Sequence, residues 1–245
     1  MRLLEPLTPD PRAPLARAHP LAKIAAAFVL MFALFITIDP LTPALVLAAE
    51  IAAIPLIGIP AGAMVRRSIP VLVAAIGIGL FNALLSGDVI GGIAIALRLV
   101  GIAIAGIVAV ASIDPTELAD ALVEHVHAPR RFTVGALAAF RLMPLFADEW
   151  QTIALARRAR GLETARVIAF FSMTRSLLIA AIRRATRLAV AMDGRGFADP
   201  GCRTLARPRR IVARDWSLVV ASFTVAALAS AASIAAGSWR FFLAR

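Results

Sequence analysis

VIGGIAIALRLVGIAIAGIVAVAS, Val89 to Ser112, runs for 24 residues with a single ionisable side chain, Arg98. About 20 such residues suffice to cross a bilayer as a helix, so this stretch reads as a membrane span. Four more apolar stretches, bounded by charges, Pro and Gly, take the same reading. The first covers Ile24 to Ile38, which is short unless Leu21 and Lys23 are drawn into the interface by snorkelling. The second, Leu41 to Ile59, carries Glu50 and Pro55, and the third, Ile69 to Leu85, stops at Ser86-Gly87-Asp88. The last, Trp216 to Gly237, has Trp216 and Trp239 at its margins, as aromatic belts do.

Composition agrees. The chain is 60% hydrophobic with a mean hydropathy of +0.85, against about 45–50% apolar residues in soluble domains. The expectation is an all-α integral membrane protein with about five transmembrane helices. A net charge of +11 would suggest nucleic acid for a soluble chain. Here the excess of cations inside the cell explains most of it, and no nucleic-acid partner is expected. The one cysteine, Cys202, excludes an intramolecular disulfide. The Pro-rich first twenty residues have no cleavable signal pattern and read as a retained cytosolic lead-in.

Orientation follows from the cations. Arg2, Arg12, Arg17 and Lys23 precede the first span and Arg66 and Arg67 separate the second and third, while the turns at Asp39 and Asp88 have none. The N-terminus and the Arg66 turn are therefore expected in the cytosol, in a multi-pass protein of the cell membrane. Four crossings return the chain there at about Ile113. Residues 113–214 hold 17 Arg against 9 acidic residues and read as the cytosolic working part. The expected layout is thus a lead-in over 1–20, four spans over 21–112, the cytosolic region over 113–214, and a last span with the C-terminus over 215–245. Arg240 and Arg245 at that end run against the charge rule.

Within the cytosolic region Asp114-Pro115-Thr116-Glu117 is a helix start, with Asp114 as N-cap and Pro115 in the first position. Leu118, Leu122 and Val126 would line one face of that helix. Phe132 to Phe146 is apolar apart from Arg141 and too short for a crossing. Two further helices are expected, about Pro144 to Arg160 and about Ala165 to Arg195. The second would be roughly 45 Å long at 1.5 Å per residue, and its cations keep it beneath the membrane. Small residues Ala154, Ala156, Ala159, Ala180, Ala181 and Ala185 would let the pair approach closely.

Both of these helices end alike. ALARRARGLE, Ala154 to Glu163, is nearly repeated as AVAMDGRGFADP, Ala189 to Pro200. Gly161 and Gly196 fall where a helix takes a left-handed residue, which puts Arg160 and Arg195 in the last turn, at the negative end of the helix dipole. Two tips would each present one guanidinium, a means of holding a cytosolic partner at two equivalent points. The competing reading is that each Arg only caps its helix and solvates the surface.

The run from Ser112 to Glu163, then AMDGRGF, with HPLAKI at His19 to Ile24, resembles the transmembrane T component of energy-coupling factor transporters, the EcfT/CbiQ/BioN-like family. The specific parts are the acid-Pro-x-x-Leu helix start, Arg-x-x-Pro at Arg141 to Pro144, and two Ala-Arg-Gly signatures. The first is intact as Ala159-Arg160-Gly161; the second departs as Gly194-Arg195-Gly196. The resemblance implies a scaffold that binds a pair of ABC-type ATPase subunits through these motifs and grips a separate substrate-binding membrane subunit, the S component. The cargo would be a vitamin or a transition-metal ion, and hydrolysis would reside in the partner ATPases.

Other chemistry is thinner. Glu50, Asn82 and Arg98 lie within spans, where a charge is costly and marks a functional or packing role. A Glu50–Arg98 pair would stabilise packing or, in the alternative reading of a self-contained secondary transporter, couple ions at mid-membrane. His125 and His127, two apart, do not share a helix face, so no metal site is expected. A phosphate loop of Walker type needs a Lys after its last Gly, and Lys23 is the only Lys. No cofactor and no catalytic set are expected.

Overall fold

The computed structural model describes residues 13, 15, 17–58, 60–162, 166–196 and 210–238. Most of the N-terminal lead-in, Cys202, Trp239, Arg240 and Arg245 lie outside the described residues. Eight α-helices and no strand are present among those described: α1 (Pro20–Ile36), α2 (Leu41–Ile57), α3 (Ala61–Ser86), α4 (Val89–Ala111), α5 (Pro115–His125), α6 (Arg130–Ala159), α7 (Arg166–Asp193) and α8 (Ala213–Ala235). Three are long and apolar enough to cross a membrane, over Gly62–Ser86, Val89–Ala111 and Ala213–Ala235, while α1 and α2 are apolar but shorter. Each of these two has 17 residues, the lower limit for a span. The all-α membrane fold is as expected.

The chain divides into two compact units, residues 1–121 with 209–245, and residues 122–208. In the first, α4 is the hub. It packs against α1, α2 and α3, and α8 closes on α1 and α2. Leu34, Val46 and Ala229 form one buried cluster, bringing α1, α2 and α8 together with Ile102 of α4. The α3–α4 contact depends on Gly79 and Gly92. A Cβ on Gly92 would lie 2.6 Å from the Gly79 carbonyl oxygen and 2.7 Å from the Ala83 Cβ, so two backbones meet where no side chain fits.

Polar side chains tie the ends of this bundle. At one end Asp39 Oδ2 accepts from Thr42 N at 2.7 Å, Thr42 Oγ1 at 2.8 Å and Ser233 Oγ at 2.6 Å, joining the α1–α2 turn to α8. Burial alone would raise the Asp39 carboxyl, but the bonds from Ser233 and Thr42 outweigh it and hold it below its usual value. At the other end His19 N donates to Asp215 Oδ1 at 2.7 Å, while Asp215 Oδ2 accepts from Val212 N at 2.9 Å. One carboxylate thus satisfies an orphan amide at the start of α8 and one just before α1. Lys23 Nζ donates to the Ser112 carbonyl at 2.7 Å, pinning α1 to the end of α4.

Helix α5 starts as the sequence indicates, with Asp114 Oδ1 accepting from Thr116 N at 2.6 Å. Its buried side differs from the expected Leu118–Leu122–Val126 line. Ala119 and Ala121 are the buried residues, and Val126 is 57% exposed.

The second unit contains a larger departure. Pro144 does not begin a helix; it lies inside α6, which is continuous for 30 residues and includes the apolar stretch from Phe132. Proline removes one backbone donor and crowds the preceding turn, yet the helix passes through. Of the alanines expected between α6 and α7, Ala154, Ala180 and Ala181 are half-buried, while Ala156, Ala159 and Ala185 are exposed. Large and polar side chains also join the two helices: Trp150 on Phe170 with centroids 5.6 Å apart, Arg184 on Glu149 at 3.2 Å, and Arg157 on Ser172 at 3.1 Å.

Candidate functional site

The two Arg-Gly signatures lie at the ends of α6 and α7, and the local hydrogen bonds explain why. Ala159 is the last residue of α6 and Arg160 its C-cap. Gly161 has φ +64°. Its N–H donates to the Arg158 carbonyl at 2.9 Å and that of Leu162 to the Arg157 carbonyl at 3.2 Å. This pair of bonds is the Schellman end, which satisfies the last carbonyls of a helix and requires a left-handed residue at the position after the cap.

The second copy repeats the turn. Gly196 has φ +69°, and its N–H donates to the Asp193 carbonyl at 2.9 Å, with Arg195 N on the Met192 carbonyl at 3.1 Å. Gly194, where the first copy has Ala159, keeps a helical bond to Val190 at 2.9 Å. Its position has ordinary room for a methyl group, since an added Cβ would stand 3.5 Å from the Val190 carbonyl oxygen. Gly194 is therefore compatible with the alanine of the other copy.

Arg160 and Arg195 are both exposed, and neither side chain forms an ion pair or hydrogen bond with a described residue. Each is a planar donor fork beside a glycine turn that takes up carbonyls of the last helical turn. Such a group is free to meet a carboxylate or a carbonyl of another molecule.

Glu50 and Arg98 do not pair. Arg98 Nη2 donates to the Phe35 carbonyl, and its guanidinium stands 5.4 Å from the Phe35 ring centroid. Phe35 is in the last turn of α1, whose carbonyls have no partner within the helix. A cation there also meets the negative end of the α1 dipole and the nearby Asp39 charge. Arg98 thus caps a helix, a role the linear sequence conceals because the partner is 63 residues away. Glu50 is buried, and neither carboxylate oxygen has a hydrogen-bond partner among the described residues. Asn82 is half-buried, and its carbonyl accepts from Ser86 Oγ at 2.7 Å within α3.

His125 ends α5, and His127 follows it with φ 55°. No group of three or more His, Cys, Asp or Glu able to hold a metal exists among the described residues. What sequence reasoning missed are the anchoring roles of Asp39, Asp215 and Arg98. Asp215 had a local signal, an acid in the first turn of α8, but Val212 before it is no capping residue.

A family model described as CbiQ, Cobalt transport protein, matches residues 11–204. Among curated proteins, the chain is similar to the energy-coupling factor transporter transmembrane protein EcfT of Staphylococcus aureus (strain 04-02981), 31% identical over 53% of each chain. The protein of the same name from Bacillus subtilis (strain 168) is 29% identical over 62% of each chain. That from Limosilactobacillus fermentum (strain CECT 5716 / Lc40) is 32% identical over 48% of this chain and 49% of its own. The chain spans about half to three-fifths of the length of the curated relatives it matches. With the match reaching from before α1 to beyond the second Arg-Gly turn, the chain is a membrane protein that belongs to the CbiQ family, the transmembrane T components of energy-coupling factor transporters.

Proposed function

We propose that this chain is the scaffold and energy-coupling subunit of an ATP-driven importer, with Arg160 and Arg195 each docking one subunit of an ABC-type ATPase pair. The observation that carries the reading is the repeated helix end: two exposed guanidiniums, each set beside a left-handed glycine whose N–H bonds a carbonyl of the last turn. The sites comprise Ala159-Arg160-Gly161 and Gly194-Arg195-Gly196. The chain itself is non-catalytic. ATP binding and hydrolysis in the partners would move α6 and α7, and that movement would act on a separate substrate-binding S component in the membrane. The names of the relatives support a transporter assembly. The cargo is a micronutrient, a vitamin or a transition-metal ion, selected by the S component. The self-contained secondary transporter loses its main support, because Arg98 is engaged at the end of α1 rather than with Glu50.

Two docking points on one scaffold make the second contact intramolecular, so one intact Arg retains part of the assembly. Truncating one member of a desolvated charge pair costs on the order of 2–5 kcal/mol at its site. Arg160→Glu or Arg195→Glu alone is expected to weaken co-purification of the ATPases and to uncouple hydrolysis from uptake. The double variant is expected to abolish assembly while still inserting in the membrane. Normal ATPase recovery with the double variant would overturn the docking role.

A further inference from the structure

A cavity of about 310 Å³ lies within the first unit between α1, α2 and α8. Most of its wall is apolar, with Leu30, Ala53, Leu218 and Val225 in the lining. Glu50 contributes its carbon stem and not its charge: both carboxylate oxygens are sealed from solvent, and Oε2 lies toward Gly101 of α4, where an added Cβ would stand 4.0 Å from it. The hydroxyls in the lining, Ser217 and Ser222, donate along α8 to the Arg214 and Leu218 carbonyls at 2.7 and 3.0 Å. Leu56 of α2 and Ala221 of α8 also line the cavity and are exposed, so it is open at its rim. Water in such a space would lack the roughly two to four polar partners it needs. An apolar chain fits it.

The charge at the cavity selects the head that such a chain carries. Arg214, exposed in the first turn of α8, is part of the lining. Its neighbour Asp215 is 3% exposed, with both carboxylate oxygens on the backbone amides of His19 and Val212, and presents no anion to the cavity. The bond from His19 also brings the residues before α1 to the start of α8, so the exposed Arg17 and Arg210 belong to the same end of the bundle. Trp216, 64% exposed and two residues beyond Arg214, marks the depth of the headgroups, where aromatic belts lie. The cation rule puts this end in the cytosol, beside the leaflet whose anionic lipids attract Arg and Lys. We propose that the cavity holds an acyl chain of an anionic phospholipid, its phosphate on Arg214 and its chain among Leu30, Ala53, Leu218 and Val225. A guanidinium suits phosphate through two parallel N–H donors. The chain comes from hydrocarbon, so it gains packing contacts and no dehydration, which leaves the choice between lipids to the charge at Arg214.

The probe is an equimolar mixture of dioleoyl phosphatidylglycerol and dioleoyl phosphatidylcholine, which share their chains and differ in net charge. It is added to the full-length protein in mild detergent, and retained lipid is read by native mass spectrometry. The wild type is expected to retain phosphatidylglycerol over phosphatidylcholine by at least threefold. Arg214→Gln should erase that preference and Arg214→Lys should keep most of it, which separates the charge from a merely structural role of the side chain. Arg66→Gln, which removes an exposed cation outside the lining, should leave the preference unchanged. Ala53→Phe, which fills the space but keeps Arg214, should lower retention of both lipids at least threefold. Should that variant fail to fold, the exposed position 214 still decides through its Gln and Lys variants. No lipid retained by the wild type, equal retention of the two lipids, the same loss of preference in Arg66→Gln as in Arg214→Gln, or undiminished retention in a folded Ala53→Phe would each overturn the site.

Discussion

At the scale of single residues, the two Arg-Gly signatures contain three glycines that do different things. Gly161 and Gly196 have positive φ, where a Cβ meets the chain's own backbone, so the requirement is conformational. Nothing lies within 4 Å of a Cβ added to Gly161, which isolates that cost. Gly194 is in ordinary helical geometry with room for a methyl group. Gly161→Ala is therefore expected to destabilise the end of α6 by about 1 kcal/mol, and Gly194→Ala to stabilise the end of α7 by up to about 1 kcal/mol. Hydrogen exchange of the amides in the last turns of α6 and α7 would check both. Faster exchange in Gly194→Ala, or no change in Gly161→Ala, would contradict these assignments. The same scale shows where charge reading falls short. Glu50 and Arg98 are each conspicuous in an apolar span, and opposite signs suggest a pair, but Arg98 finds a helix-end carbonyl nearer to hand.

Among the elements, α3 depends on one neighbour, α4, and on one close approach. A side chain at Gly92 would strike the Gly79 carbonyl oxygen and the backbone of Ala83, neither of which can swing aside. Gly92→Val is expected to lower stability in detergent by roughly 1–3 kcal/mol, the range for overpacking a tight contact. Gly77→Val is the matched control, because nothing lies within 4 Å of a Cβ there. Equal thermal midpoints for the two variants would show that α3 and α4 do not meet through these glycines. In the second unit the lesson concerns proline and alanine. Pro144 reads locally as a helix start, since it fits a first turn at no loss of a hydrogen bond. It is instead carried within the 30 residues of α6. Alanine composition permits close packing but does not demand it: Ala156, Ala159 and Ala185 are exposed, and Trp150 against Phe170 is among the contacts that join the two helices.

For the whole molecule, the testable property is orientation, which rests on the cation-free turns at Asp39 and Asp88. The structure alters how it is probed. Asp39 is 1% exposed and holds Thr42 and Ser233, so a cysteine there would be shielded on either side of the membrane. Asp88 and Arg66 are exposed. In a Cys202→Ser background, Asp88→Cys is expected to react with an impermeant thiol reagent from outside intact cells, and Arg66→Cys and Arg160→Cys only after permeabilisation. The reverse pattern would invert the topology. The sequence by itself determined the all-α membrane class, the boundaries of the apolar helices to within a few residues except at the start of α3, and the two glycine-terminated helix ends. These follow from hydropathy over about 20 residues and from the chirality of a single turn, both local properties. Only the tertiary structure decided that Arg98 caps α1, that Asp39 and Asp215 tie α8 to the α1–α2 turn and the start of α1, and that Glu50 is buried with no hydrogen-bond partner among the described residues. Those outcomes rest on pairs up to 196 residues apart, whose choice among competing partners is settled by packing and not by any spacing along the chain.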